Sequence, residues 1–451
     1  MKNINRIKRF CTVILVIATV LSATLSLASC NIHITHNNSQ GTEGPDVNTP
    51  EEPTSPGYIQ DLIKLDQIFN FYSYDGVDEE AMKIALLKAY IEATGDIHAA
   101  YLDAEEYEEY YSDRAGEFVG IGVSVVNTYI TVDGHDYKAL QIVSVFKDSP
   151  ALEAGILPGD YVVYVGSGDD RALIDGIGYT EALERVRGVE GTSVDITVFR
   201  PSASDYEVIE FTIDRRKVTS YSVTYKVSET DEKIGIVSVS SFDDTTPRQF
   251  TEAMDTLISL GCDKFVYDLR DNPGGSVDSI ETVLSYFLSE GDVIVSVEYN
   301  DTLEGNNRSD YVRVKNYASP YECLNVTRAD IGKYKELDSV VLVNENSASA
   351  AELFAATFRD YGLAKLVGVT TFGKGSMQQL YSLEKYGIEG GLKLTVARYF
   401  SKSHTDYHGI GIVPDVIVEL SDEALEYNPL LLPEEKDNQM QAAIAELLNN
   451  K

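Results

Sequence analysis

The chain has 451 residues, 43% hydrophobic and 10% aromatic, enough to build cores for two or three domains and too much for global disorder. Its formal net charge of −35 argues against nucleic acid and anionic lipid surfaces as substrates; its plainest consequence is solubility. The four cysteines (Cys11, Cys30, Cys262, Cys323) form no CxxC and no Cys/His cluster with ligand spacing, so a structural zinc site is not expected, and no cofactor motif is found. Cys262 and Cys323 read as free thiols.

Residues 1–29 read as a targeting segment. Lys2, Arg6, Lys8 and Arg9 form a basic start, and an uncharged run rich in Val, Ile and Leu follows from position 10 to 28. It ends in Leu27-Ala-Ser-Cys30, which resembles a bacterial lipobox, with Cys30 as the lipidated residue. The alternative is an uncleaved anchor, since about 19 apolar residues just span a bilayer. Either way the rest of the chain is expected outside the cytoplasm, attached to the membrane. Residues 30–57 carry Pro45, Pro50, Pro53 and Pro56 among polar residues, which predicts a disordered tether.

Residues 58–115 show three- and four-residue apolar spacings and predict helices, one starting at Asp78. Residues 116–217 change to short β-type runs separated by turns. Between two of them, Asp148-Ser-Pro-Ala-Leu-Glu-Ala-Gly-Ile-Leu-Pro-Gly-Asp160 predicts a short helix ending at Gly155 and a turn into a strand. This pattern resembles the PDZ domain, which binds extended peptides at a sheet edge and caps their carboxylate with backbone amides. Val119, Gly120, Ile121 and Gly122 are the expected carboxylate loop. A β-module without a ligand is the alternative.

Residues 218–424 alternate strands and helices: strands at 234–240, 264–270, 339–344 and 364–369, and an amphipathic helix at 248–260. The expected fold class is α/β, with a mostly parallel sheet and function on loops at the strand ends. Residues 425–451 read as a surface tail with one helix over 439–448.

Two of those strand-end loops carry the chemistry. Asn344-Glu-Asn-Ser-Ala-Ser-Ala-Ala-Glu352 is a small-residue turn that puts Ser349 at the start of an apolar helix. Thr371-Phe-Gly-Lys-Gly-Ser-Met-Gln378 puts Lys374 in a glycine-flanked loop. A serine hydroxyl needs a base to become a nucleophile. No GxSxG elbow is present, and neither core histidine (His404, His408) has an evident orienting carboxylate, so Lys374 is the better base. Burial would have to lower its amine by roughly 2–4 units from ~10.4. Gln378 can hold that amine through its side-chain carbonyl. Oxyanion donors are expected from Ala350, at the helix start, and from Gly274 and Gly275 in Asn272-Pro-Gly-Gly275. Taken singly, such a serine is usually a helix cap, such a lysine is solvated, and such a glycine pair is a turn. Here all three stand at strand ends of one core.

These motifs, together with Gly95-Asp-Ile-His-Ala-Ala-Tyr-Leu-Asp103, Asp268-Leu-Arg-Asp-Asn-Pro-Gly-Gly275 and Gly409-Ile-Gly-Ile-Val-Pro-Asp415, resemble the carboxyl-terminal processing peptidases over roughly residues 58–420. The resemblance implies Ser349 as nucleophile, Lys374 as general base and Gln378 as its orienting partner. It also implies a crotonase-like core, often dimeric, a gating PDZ domain, and a mechanism without metal or ATP. Position 349 matches the family nucleophile, and Ser347 its upstream neighbour. Ala351 stands where a third serine is usual, and Ser401-Lys-Ser-His404 where Pro-Ser-Gly is common. The expected partners are protein or peptide substrates with free C-termini, the membrane through Cys30, and a second copy as a homodimer. The alternative is a catalytically inactive, membrane-tethered PDZ receptor; a ligand-carrier role has no cofactor motif behind it.

Overall fold

The computed structural model describes residues 56–449, apart from residues 75, 133–134, 203–205, 302–305 and 320–321. The leader, Cys30 and the tether up to residue 55 lie outside the described residues. No described helix is long and apolar enough to cross a membrane. The chain divides into two units, residues 56–106 with Leu380–Leu394, and residues 107–379 with 395–449.

The smaller unit starts with α1 (Gly57–Tyr72), which buries none of its side chains although it carries Ile59, Leu62, Leu65, Ile68 and Phe69. In α2 (Glu79–Glu92) the Asp78 carboxylate caps the first turn, accepting the Ala81 amide at 3.1 Å, as the sequence predicts. β1 (Ala100–Leu102) follows, and Tyr101 packs with Ile91 and Leu383. In α3 (Ala104–Arg114) the chain passes into the larger unit.

The first part of the larger unit is β-rich. It contains β2 (Glu117–Gly120), β3 (Val123–Val132), β4 (His135–Val145), α4 (Pro150–Ala154), β5 (Tyr161–Val165), β6 (Ala172–Leu173), α5 (Ile174–Val186), β7 (Ser193–Pro201), β8 (Tyr206–Asp214) and β9 (Arg216–Thr219). One sheet runs β3-β4-β5-β7-β8 with β3 at an edge, and β2 pairs with β9. α4 ends at Gly155 with φ 89°, the left-handed stop that glycine supplies. The segment expected as a carboxylate loop differs in part. Val119 and Gly120 lie in β2, paired with Lys217 and Arg216. Only Ile121 and Gly122 are outside a strand, and the Ile121 side chain is buried in the module's core. The alternation of apolar residues continues through this turn, so periodicity alone could not tell strand from loop.

The second part holds β10 (Val223–Val227), β11 (Ile234–Val239), α6 (Thr246–Ser259), β12 (Lys264–Asp268), α7 (Val277–Ser285), β13 (Val293–Asp301), β14 (Asn306–Arg313), β15 (Asp338–Val343), α8 (Ala350–Asp360), β16 (Ala364–Gly368), β17 (Ser376–Ser382), β18 (Gly391–Phe400), β19 (Val416–Ile417) and α9 (Asn438–Asn449). β11, β12, β15, β16 and β19 are parallel neighbours, with β10 antiparallel at one edge. The side-chain period of two splits β12 between both faces. Phe265 and Tyr267 join the core with α6, α7 and α8, while Val266 faces Met440, Ala443, Ile444 and Leu447 of α9. Asp268 pairs with Leu342, so the loops leaving β12 and β15 emerge side by side. That register brings the Asn272 loop to the Ser349 turn.

α9 is no surface tail. Its apolar residues cover one face of the sheet, and Glu434 and Asp437 just before it are buried. Arg270 donates to Asp437 at 2.7 and 3.1 Å and to Asp268 at 2.7 and 2.9 Å. The segment reads as polar surface because its partners lie far away in sequence.

Candidate active site

The two serines of the turn have different tasks. The Ser347 hydroxyl donates to the Leu269 carbonyl at 2.8 Å and accepts the Asn344 amide at 2.9 Å, so it braces the turn. Ser349 follows with φ 55° and ψ −116°, a region that costs a non-glycine residue about 1–3 kcal/mol. Its side chain is enclosed. Gly274 makes the close approach possible: a Cβ there would lie 2.6 Å from the Ser349 Cβ and 2.9 Å from the Ala350 nitrogen.

The lysine loop is tied to this turn by one carboxylate. Buried Glu352 accepts the Ser349 amide at 3.0 Å and the Lys374 amide at 2.7 Å on Oε2. Its Oε1 accepts the Gly373 amide at 2.7 Å and the Thr371 hydroxyl at 2.5 Å. Burial pushes this carboxyl above its ordinary range, and the Thr371 hydroxyl and the three amides pull it back. Lys374 itself is buried. The Gly409–Gly411 turn packs behind it, with the Gly409 amide donating to the Gly373 carbonyl at 2.8 Å; a Cβ on Gly373 would meet the Gly411 nitrogen at 2.8 Å. This contact explains why two separated glycine motifs belong to one site.

Around this pair the structure distributes the other expected residues. Gln378 is buried and its Nε2 donates to Ser376 Oγ and Thr395 Oγ1, both at 3.1 Å. Its Oε1 has no partner among the described residues, so the expected bond to the lysine amine is not made in this arrangement. The Ala350 amide donates to no acceptor among the described residues. The Gly274 amide, in contrast, donates to Asn272 Oδ1 at 2.8 Å; Gly275 lies opposite Phe242, whose amide donates to the Gly274 carbonyl and whose carbonyl accepts the Ser276 amide. Of the expected oxyanion donors, the Gly274 amide is therefore engaged and its glycine serves close approach, while the Ala350 amide is open among the described residues. His408 Nδ1 accepts the Gly375 amide at 3.2 Å, and burial, with Arg398 nearby, lowers its pKa. Cys262 and Cys323 are free thiols.

Two residues emerge only from the structure. Glu352 had a local signal: Ser349-Ala-Ala-Glu352 is the spacing of a capping box. Tyr399 had none. Its hydroxyl donates to the Lys374 carbonyl at 2.7 Å and lies 3.3 Å from Ser349 Oγ.

Comparison with known proteins gives the family. Residues 233–418 match the model of peptidase family S41. The chain is 30% identical over 351 residues to the carboxy-terminal processing protease CtpA of Bacillus subtilis, covering 78% of this chain and 67% of that one. It is 31% identical over 328 residues to the carboxy-terminal-processing protease of Bartonella bacilliformis, covering 72% and 67%. A solved S41 protease from Bacteroides fragilis superposes with a TM-score of 0.56 at 16% identity, covering 89% of this chain and 99% of that one, which shows the shared fold. A mixed α/β fold of this kind, with the S41 match, defines a serine-type peptidase. Within that class the chain belongs to the carboxyl-terminal processing peptidase family.

Proposed function

We propose that the protein is a membrane-anchored, extracytoplasmic serine endopeptidase that captures protein C-termini and cuts nearby with a Ser349–Lys374 dyad. The observation that carries the dyad is the Glu352 carboxylate, which binds the main chains of both residues inside one enclosed site. In the proposed acylation, Ser349 Oγ gives its proton to the Lys374 amine and attacks the peptide carbonyl. Burial disfavours the charged ammonium, which suits an amine that must accept a proton. The Ala350 amide, open at the start of α8, receives the developing oxyanion. Lys374 then protonates the leaving amine and activates the water that hydrolyses the acyl-enzyme. The Gln378 carbonyl, partnerless among the described residues, is available to hold the lysine amine.

Residues 116–217 act as a PDZ module on a crotonase-like core. Two features support this: β3 is an edge strand that can accept a peptide strand, and the Ile121 and Gly122 amides have no acceptor among the described residues. Cys30 supplies the lipid anchor, on the strength of its position after Leu27-Ala-Ser. The exposed apolar face of α1 supports self-association into a homodimer. The charge of −35 disfavours nucleic acid as a partner.

The test incubates the full chain with an unfolded reporter bearing an apolar C-terminus, beside Ser349→Ala, Ser347→Ala and Lys374→Ala, and with an amidated reporter. Cleavage by the parent and by Ser347→Ala, lost in the other two and weakened by amidation, is expected. Equal cleavage by Ser349→Ala would end the dyad reading. Binding of the reporter without cleavage by any form would favour a tethered peptide receptor.

A further inference from the structure

Strand β18 carries three alternate residues on one face, two of which reach the site. Thr395 takes the Gln378 amide, Ala397 packs in the core, and Tyr399 reaches the dyad. Tyr399 is held from both ends. Its amide donates to the Gly375 carbonyl at 3.1 Å, its hydroxyl donates to the Lys374 carbonyl at 2.7 Å, and its ring packs edge-on to Tyr407 with centroids 6.3 Å apart. It is 3% exposed. The same hydroxyl stands 3.3 Å from Ser349 Oγ, the atom that attacks in the proposed reaction. A phenol has one proton, and the shorter contact shows where it rests: on the base's main chain.

We propose that Tyr399 is a further catalytic residue, whose hydroxyl turns from the Lys374 carbonyl to Ser349 Oγ as that oxygen loses its proton. The proposal rests on the Ser349–Lys374 dyad. In the step concerned, the Ser349 O–H bond breaks and its proton goes to the Lys374 amine lone pair. Oγ bonds to the substrate carbonyl carbon, and the carbonyl electron pair moves onto its own oxygen. The Tyr399 O–H bond stays intact throughout; only its acceptor changes. A water-poor site makes one such donor effective, because charge that develops on Oγ has little solvent to stabilise it. When the acyl-enzyme is hydrolysed, charge returns to Oγ and the same donor serves again.

The experiment compares the full chain with Tyr399→Phe and Ser349→Ala, using a fluorogenic peptide and a fluorophosphonate that labels the active serine. For Tyr399→Phe we expect kcat to fall about 10- to 100-fold with KM within about two-fold, and labelling to slow in parallel, while Ser349→Ala abolishes both. A Tyr399→Phe variant with kcat and labelling within about two-fold of the parent, beside a dead Ser349→Ala, overturns the role of Tyr399 and leaves the dyad intact. A loss confined to KM overturns it equally. Activity surviving in Ser349→Ala removes the dyad, and this proposal with it. If Tyr399→Phe unfolds, 3-fluorotyrosine at position 399 carries the test, since it keeps the ring and both contacts but is a stronger donor. A shift in kcat of about two-fold or more with KM and melting temperature unmoved supports the role; an unmoved kcat overturns it.

Discussion

At Glu352, four donors converge on two oxygens, and two of those donors are the amides of Ser349 and Lys374. A glutamine there keeps the volume but puts an amide donor where only acceptors fit. Donors left buried and unpaired cost about 1–3 kcal/mol each, so Glu352→Gln should lose roughly 3 kcal/mol of stability. It should also lose about 100-fold in kcat, because the turns of the proposed nucleophile and base are no longer held to one group. Denaturant unfolding and steady-state kinetics check the two expectations separately. Wild-type kcat in a folded Glu352→Gln would show that the proposed dyad keeps its geometry without this carboxylate. Gly274 works at the same scale by a different means, since any Cβ there meets Ser349.

At the scale of elements, the loop after β12 is fastened from behind. Arg270 sits two residues before Asn272, and its guanidinium is shared between Asp268 and Asp437, the latter just before α9. Asn272 in turn accepts the Ala348 amide on its main-chain carbonyl at 2.9 Å and the Gly274 amide on its side chain at 2.8 Å. The C-terminal segment therefore braces the loop that faces Ser349. Arg270→Met removes the cation and leaves two largely buried carboxylates facing each other, which should cost about 3–5 kcal/mol. Urea midpoints report the loss. Unchanged stability would mean that Asp268 and Asp437 find solvent or other donors.

At the scale of the whole molecule, acid should act through the same segment. Burial alone would raise the Glu434 carboxyl, but the Ser228 hydroxyl, the Lys226 ammonium, the Glu229 amide and the Thr230 hydroxyl outweigh it and hold it at about 2. A carboxyl held below its unfolded value of 4.5 stabilises the fold fully above that value. Its contribution is lost as pH falls from about 5 toward 2. The stability difference between the parent and Glu434→Gln should be constant above about pH 5.5 and shrink as the solution is acidified. Unfolding curves at pH 7, 4 and 3 measure it. A difference independent of pH would show that Glu434 titrates alike in the folded and unfolded chain, so that its four partners do not hold it low.

Much of this protein was legible as local pattern. The alternating strands and helices from 234 to 369, the Asp78 cap and the Gly155 stop follow from side-chain period and backbone sterics, which act over a few residues. The serine turn and the lysine loop were legible for the same reason: small residues and glycines mark where a chain must come close to something. What they come close to was decided by tertiary structure. Tyr399 lies 50 residues from Ser349 and 25 from Lys374 in the chain, and Glu434 lies 206 from Ser228. The burial of α9, the capture of the Gly274 amide by Asn272 and the inclusion of Val119 and Gly120 in a strand are of the same kind. A spacing rule encodes how a chain turns upon itself locally; it does not encode which distant hydrogen-bond partner the packed sheet presents to a buried group.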